Sequence, residues 1–136
     1  MNGFVLDPRL AADSVPVATL ALCDLRLMDD ARWPWLLLVP RVPGASELLD
    51  LVPAQRAQLS DELDRAAHAL RACVRCDKLN VAALGNVVPQ LHVHLIARRR
   101  DDAAWPRPVW GIGAAQPWEL PAREALVRAL RNTIGA

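Results

Sequence analysis

The chain has 136 residues, 53% hydrophobic and 23% charged, with 16 basic against 15 acidic side chains and a formal net charge of +1. That length suits a single domain, 1–136, able to bury a core without disulfide or metal staples, and its supply of Leu, Ile and Val excludes a disordered chain. No apolar run approaches the ~20 residues that span a bilayer, and the balanced charge gives no reason to expect a nucleic-acid or membrane partner.

Residues 1–16 contain Pro8 and Pro16 without clear periodicity and read as a lead-in with a short helical turn. The apolar stretch Val15–Cys23 follows Asp7, Arg9 and Asp13 rather than a net positive segment, and Leu22 is too large for a cleavage site before Cys23. From Leu22 to Met28 the pattern alternates, with Cys23, Leu25 and Leu27 opposite Asp24 and Arg26, which predicts a half-buried strand. Trp35–Val39 is apolar on both faces, as a central strand is, and Pro40, Pro43 and Gly44 end it.

Residues 54–75 read as the main helix. Pro53 stands near its start, and Leu59, Leu63, Ala66, Leu70 and Val74 form one stripe. Lys78–Leu84 returns to alternation, with Leu79, Val81 and Ala83 opposite Asn80 and Ala82. After the Gly85–Pro89 connection, Gln90–Arg98 is expected to be a further strand. A Trp105–Gly111 loop and a helix over 121–133, with Leu126, Leu130 and Ile134 on one stripe, complete the chain. Strand–strand–helix–strand–strand with short links argues an antiparallel sheet with a helix packed on it, an α+β layout.

The informative segment is Gln90-Leu91-His92-Val93-His94-Leu95-Ile96-Ala97-Arg98. Alternation places Gln90, His92 and His94 on one face and Leu91, Val93, Leu95 and Ala97 on the other, which packs under the helix. Two imidazoles, each titrating near pH ~6.5 when unperturbed, therefore stand side by side away from the hydrophobic layer. They are candidates for nucleophile, acid or base.

This segment resembles the mark of the histidine triad family, His-φ-His-φ-His-φ-φ with φ apolar, with Gln90 in place of the first histidine. The resemblance runs back through the 22–39 strand pair, the 54–75 helix and Leu79-Asn80-Val81…Gly85-Asn86, and covers a core of about residues 17–98. The segment 99–136, with Asp101-Asp102-Ala103-Ala104-Trp105-Pro106…Val109-Trp110-Gly111, is similar to a bacterial branch of hydrolases resembling diadenosine polyphosphate hydrolases.

The resemblance implies an antiparallel five-stranded sheet with one long and one C-terminal helix, paired into a homodimer across a helix and strand interface. It also implies nucleotide chemistry at an α-phosphorus, with His92 as nucleophile and a nucleotidyl-histidine intermediate that water hydrolyses. A main-chain carbonyl would hold the other nitrogen of His92, and His94 would bond phosphate oxygens or assist the leaving group. Gln90 can hydrogen-bond but not titrate. The amides around Gly85-Asn86 can cradle a phosphate, Asn80 is expected to face the same pocket, and Arg98, on the His92 face, is a candidate phosphate contact. No cofactor is required, although a divalent cation can arrive with the substrate phosphates.

Two other readings compete. A nucleotide-binding module would have lost turnover with Gln90 and with Val87, which stands where many relatives carry a hydroxyl. A metal-binding protein would use the His92-x-His94 pair, although zinc takes three or four ligands. Cys73-Val74-Arg75-Cys76 has redox spacing but ends a helix, so packing or exposure is expected for it and for His68. An odd set of three cysteines suits a reduced, cytoplasmic setting. Trp33 and Trp35 read as core, while Trp105 and Trp110 suit either a dimer contact or a stacking surface for a base.

Overall fold

The computed structural model describes residues 3–135, so Met1, Asn2 and Ala136 of the expected domain lie outside the described residues. A short helix α1 (Pro8–Asp13) leads into strands β1 (Ser14–Thr19), β2 (Cys23–Met28) and β3 (Trp35–Pro40). Helix α2 (Pro53–Cys73), strands β4 (Lys78–Ala82) and β5 (Val93–Arg98) and helix α3 (Leu120–Ile134) follow. The strands form one antiparallel sheet in the order β1-β2-β3-β5-β4. This is the expected α+β arrangement of a five-stranded sheet with one long and one C-terminal helix.

β1 is the element that residue pattern alone did not reveal. Pro16 interrupts it and the pairing with β2 shifts register between Pro16 and Ala18. An edge strand tolerates both, because proline has no ladder donor to lose there. β5 is shorter than the expected 90–98 strand. The ladder to β3 ends at the Leu38–Val93 pair, and Leu91 instead donates its N–H to the carbonyl of Ala45. His92 therefore sits on the approach to the strand and His94 within it.

α2 begins at Pro53, with the Val52 N–H bonded to Gln55 Oε1. Its stripe of Leu59, Ala66 and Leu70 is buried against Leu25, Leu27, Leu36, Leu38, Leu95 and Ala97 on one sheet face, joined by Leu130 and Ile134 of α3. Glu62, fully buried on α2, accepts the N–H groups of Leu22 and Cys23 and so ties the β1–β2 turn to the helix. Burial and the Glu62 carboxylate push the Cys23 thiol up, which makes it a packing residue.

The opposite sheet face is also covered. Trp35, Leu37, Val39 and Ile96 pack with Leu10, Trp33, Ala104 and Val109, with Phe4, Leu6 and Trp110 at the margin. The expectation that the histidine face points away from the hydrophobic layer is thus corrected. The N-terminal segment and the 101–112 loop build a second, smaller core there, and the histidines stand at its edge.

Candidate functional site

His92 and His94 are 7% and 6% exposed, with ring centroids 4.8 Å apart in an edge-to-face arrangement. Backbone alternation brings them together, and their ring nitrogens have different partners. His92 Nδ1 lies 2.7 Å from the main-chain oxygen of Gln90. A carbonyl only accepts, so Nδ1 carries the hydrogen and, in the neutral ring, the lone pair is left on Nε2. His94 Nδ1 instead accepts the indole N–H of Trp35 at 3.0 Å. The neutral His94 ring therefore bears its hydrogen on Nε2. Two histidines, one on the approach to β5 and one within it, are held in opposite tautomers, one offering a lone pair and the other a donor.

Burial, then the neighbouring His92, pushes the pKa of His94 down to about 4. The sign is that of a depressed group: between about pH 6.5 and 4 the unfolded chain takes up a proton that the folded chain refuses, so stability falls with pH. The loss across that window is about 3 kcal/mol. Urea unfolding at a series of pH values should show it, and His94→Gln should flatten that segment of the curve. An unchanged slope in the variant would assign the acid sensitivity elsewhere.

His92 lines a cleft with Gly85, Leu91, Ala83 and Leu84 on one side and Ser46, Glu47, Leu48 and Leu49 on the other. Gly85 has φ +75°, a conformation that an L side chain rarely adopts. The turn it makes sets Asn86 in solvent beside the cleft. The contribution of Ser46–Leu49 to this wall had no signal in residue spacing, since the segment is an irregular loop and a single 3-10 turn.

The other candidates are placed differently. The Gln90 side chain turns to the N-terminal segment, donating to the Val5 carbonyl and accepting the Asp7 N–H, both at 2.8 Å. It meets His92 through its main-chain oxygen. Asn80 is on the histidine face but outside the cleft lining; its Oδ1 accepts from Arg98 at 2.9 Å.

Arg98 corrects an expectation. It is 2% exposed, forked onto Asp102 at 2.8 and 3.0 Å, and bonded to Asn80 and the Arg107 carbonyl. A guanidinium committed to those partners anchors the 101–107 turn and is not available for a phosphate. Burial opposes the charge on Asp102, but Arg98 and the N–H groups of Ala104, Arg99 and Trp105 outweigh it and hold the carboxyl well below the usual carboxylate range.

Four further residues stand at the site: Trp35, read as core, Trp105 and Trp110, read as a dimer contact or a stacking surface, and Arg9, which no pattern singled out. Trp35 and Trp110 wall His94, with ring centroids 5.6 and 5.0 Å away, and meet each other at 5.8 Å. Arg9 bonds the Val87 carbonyl at 3.1 Å and pairs with Asp7, clipping α1 to the Gly85–Val87 turn. Trp105 lies against the Arg98 guanidinium. His68 is exposed on α2, and Cys73 and Cys76 are partly buried free thiols. Among the described residues no group of three or more His, Cys, Asp or Glu is arranged to hold a metal. With both Nδ1 atoms engaged, the histidine pair offers two ligands, fewer than zinc takes.

The HIT domain family profile matches residues 9–101. The chain belongs to the histidine triad family. A search of curated proteins gives no match, but solved structures of HIT proteins do. A histidine triad protein from Bradyrhizobium japonicum is 49% identical, with a TM-score of 0.94 over 96% of this chain and 98% of that one. One from Sinorhizobium meliloti is 44% identical, with a TM-score of 0.94 over 98% of both. A hypothetical histidine triad nucleotide-binding protein from Sulfolobus tokodaii, 18% identical, shares the fold at a TM-score of 0.69 over 90% of this chain and 84% of that one. The overall fold is therefore shared with all three.

Proposed function

We propose that this HIT protein is a nucleotide hydrolase or nucleotidyl transferase that works at an α-phosphorus through His92. The observation that carries the reading is the 2.7 Å contact from His92 Nδ1 to the Gln90 carbonyl, which leaves a lone pair on Nε2 of a residue lining a cleft. Nε2 attacks phosphorus, the bond to the leaving group breaks with its electron pair on that group, and a nucleotidyl-histidine forms. Water then attacks the same phosphorus, loses a proton to solvent, and returns the electron pair of the P–N bond to Nε2. Splitting one displacement into two lowers each barrier.

His94 Nε2–H and the amides about Gly85 and Asn86 supply donors for the charge that grows on the phosphoryl oxygens. The substrate class is a phosphorus anhydride, such as a dinucleoside polyphosphate, or a phosphoramidate, in keeping with a branch resembling diadenosine polyphosphate hydrolases. No cofactor takes part; a divalent cation can accompany the substrate phosphates. Release of a nucleoside monophosphate from such compounds tests the reading.

A second reading is favoured by the Gln90 side chain, which is turned away to Val5 and Asp7 and performs no proton chemistry at the first triad position. In that case the protein binds nucleotides without turning them over. Saturable binding with no product, and affinity unchanged in His92→Ala, would select it.

A homodimer suits the free edge at β4, where Val81 is exposed, as are Leu48, Val52 and Leu84 elsewhere on the chain. The groove between β4 and α2, lined by Leu48, Leu59, Leu63, Val81 and Val93, continues that apolar surface. Sedimentation should give twice the chain mass for the wild type, and Val81→Asp should shift it to the monomer. A monomeric wild type would contradict the pairing. A cytoplasmic setting fits three free thiols, and no helix among the described residues is long and apolar enough to cross a membrane.

A further inference from the structure

Trp35 is buried in the second core, and its indole N–H points at His94 Nδ1 across 3.0 Å. It reaches there by register: Trp35 pairs with Ile96 across the β3–β5 ladder, which makes it the diagonal neighbour of His94 on the same face. Indole nitrogen is a donor only, so this bond exists only while Nδ1 of His94 holds a lone pair. An imidazolium carries hydrogens on both nitrogens. Protonating His94 would set two hydrogens against each other and strand a buried donor.

Among the described residues, the groups packed around His94 do not offset that. On the approach to β5 the titratable neighbour is His92, at 4.8 Å between centroids, and a positive charge on that ring would only repel. β3 presents Trp35 and Leu37, β4 presents Ala82 across the ladder, and the C-terminal loop presents Trp110 edge-on at 5.0 Å. Arg98, further along the same face, is paired with Asp102. The N-terminal segment brings Asp7, whose carboxylate is paired with Arg9 and lies toward His92; among the described residues no carboxylate faces His94 itself to favour its cation.

We propose that Trp35 is a positioning residue that holds His94 as a neutral Nε2–H donor, and that the site thereby selects leaving groups able to depart as anions over amines that must first take up a proton. The second half rests on the covalent reading given above; the first does not. In an anhydride the Pα–O bond breaks with its electron pair on a phosphate oxygen, already a stable anion, and a hydrogen bond to a phosphoryl oxygen is all that His94 must supply. In a phosphoramidate the electron pair of the Pα–N bond stays on nitrogen, which leaves as an amine only when a proton arrives. A neutral His94 is a poor source of that proton, because giving up its Nε2 hydrogen would leave an imidazolate.

The experiment has two arms. Long-range proton–nitrogen NMR of protein labelled with 15N-histidine, near neutral pH, should place the His94 hydrogen on Nε2 and the His92 hydrogen on Nδ1. In Trp35→Phe, which keeps a ring in the core but removes the donor, His94 should lose its single tautomer and titrate at higher pH. A wild-type His94 with its hydrogen on Nδ1, or a Phe variant with unchanged tautomer and titration, overturns the role of Trp35; the wild-type spectrum decides the first point even if the variant does not fold. In the kinetic arm, wild-type kcat/KM should favour a dinucleoside polyphosphate over a phosphoramidate of the same nucleoside by about 10²-fold or more. Trp35→Phe should cut that ratio about tenfold, with new acid-side activity on the amine substrate. Equal rates on both substrates overturn the selectivity, and no turnover of either ends it together with the covalent reading while the spectra still decide the tautomer.

Discussion

Replacing His92 by Asn should lower release of nucleoside monophosphate by at least about four orders of magnitude. The side-chain amide of Asn can set a donor near the place of the histidine Nδ1, so the bond to the Gln90 carbonyl can persist. What Asn lacks is a nucleophilic nitrogen in place of Nε2. Ground-state binding should survive, because the cleft walls from Ser46–Leu49 and Ala83–Gly85 are unchanged. The outcome is read as kcat, by following monophosphate release from a dinucleoside polyphosphate, together with substrate affinity from titration. A variant within tenfold of wild type would show that His92 forms no bond to phosphorus.

The second large effect is on stability. Arg98 and Asp102 are 2% and 3% exposed and joined at 2.8 Å. Arg98→Met removes one partner and leaves a buried carboxylate whose remaining contacts are backbone N–H groups. Breaking such a pair costs about 3–5 kcal/mol, equivalent to about 10–20 °C in Tm for a chain of this size. The damage should reach the histidines as well, because the same turn starts the loop that brings Trp110 against His94. Thermal unfolding of Arg98→Met and of the double variant Arg98→Met/Asp102→Leu provides the check. The double variant should recover much of the loss, since it strands no charge. A single variant as stable as wild type would mean that the turn is held by other contacts.

Much of the architecture is legible in apolar spacing. Trp35–Val39 reads as a central strand because it is apolar on both sides, and β3 is indeed flanked by β2 and β5. The stripe of α2 follows from Leu59, Ala66 and Leu70. β1 escaped because a proline and a register shift break its alternation, and pairing to β2 supplies the order that local propensity lacks. The two histidines stand out through spacing two on a strand, and that is a local property.

Their partners are not local. The Trp35 indole reaches His94 across the β3–β5 register, and Trp110 arrives on a loop. Arg98 illustrates the limit most clearly. Alternation puts it on the His92 face, as observed, but its fate is decided by Asp102, four residues on, and by Asn80 on the neighbouring strand. Which cation faces a ligand depends on who else competes for it, and periodicity carries no account of that competition. Gln90 likewise shares the face expected of it, yet its amide is claimed by Val5 and Asp7 from a segment without a repeating pattern.

The covalent role of His92 is tested most directly by intact mass. The protein is mixed with a dinucleoside polyphosphate, quenched in base from the earliest accessible time onward, and weighed. The mass should rise by one nucleoside-monophosphoryl group per chain, located on the peptide that contains His92 and missing from His92→Asn. Monophosphate accumulating with no adduct at any time, or the same adduct forming in His92→Asn, would contradict attack by this nitrogen.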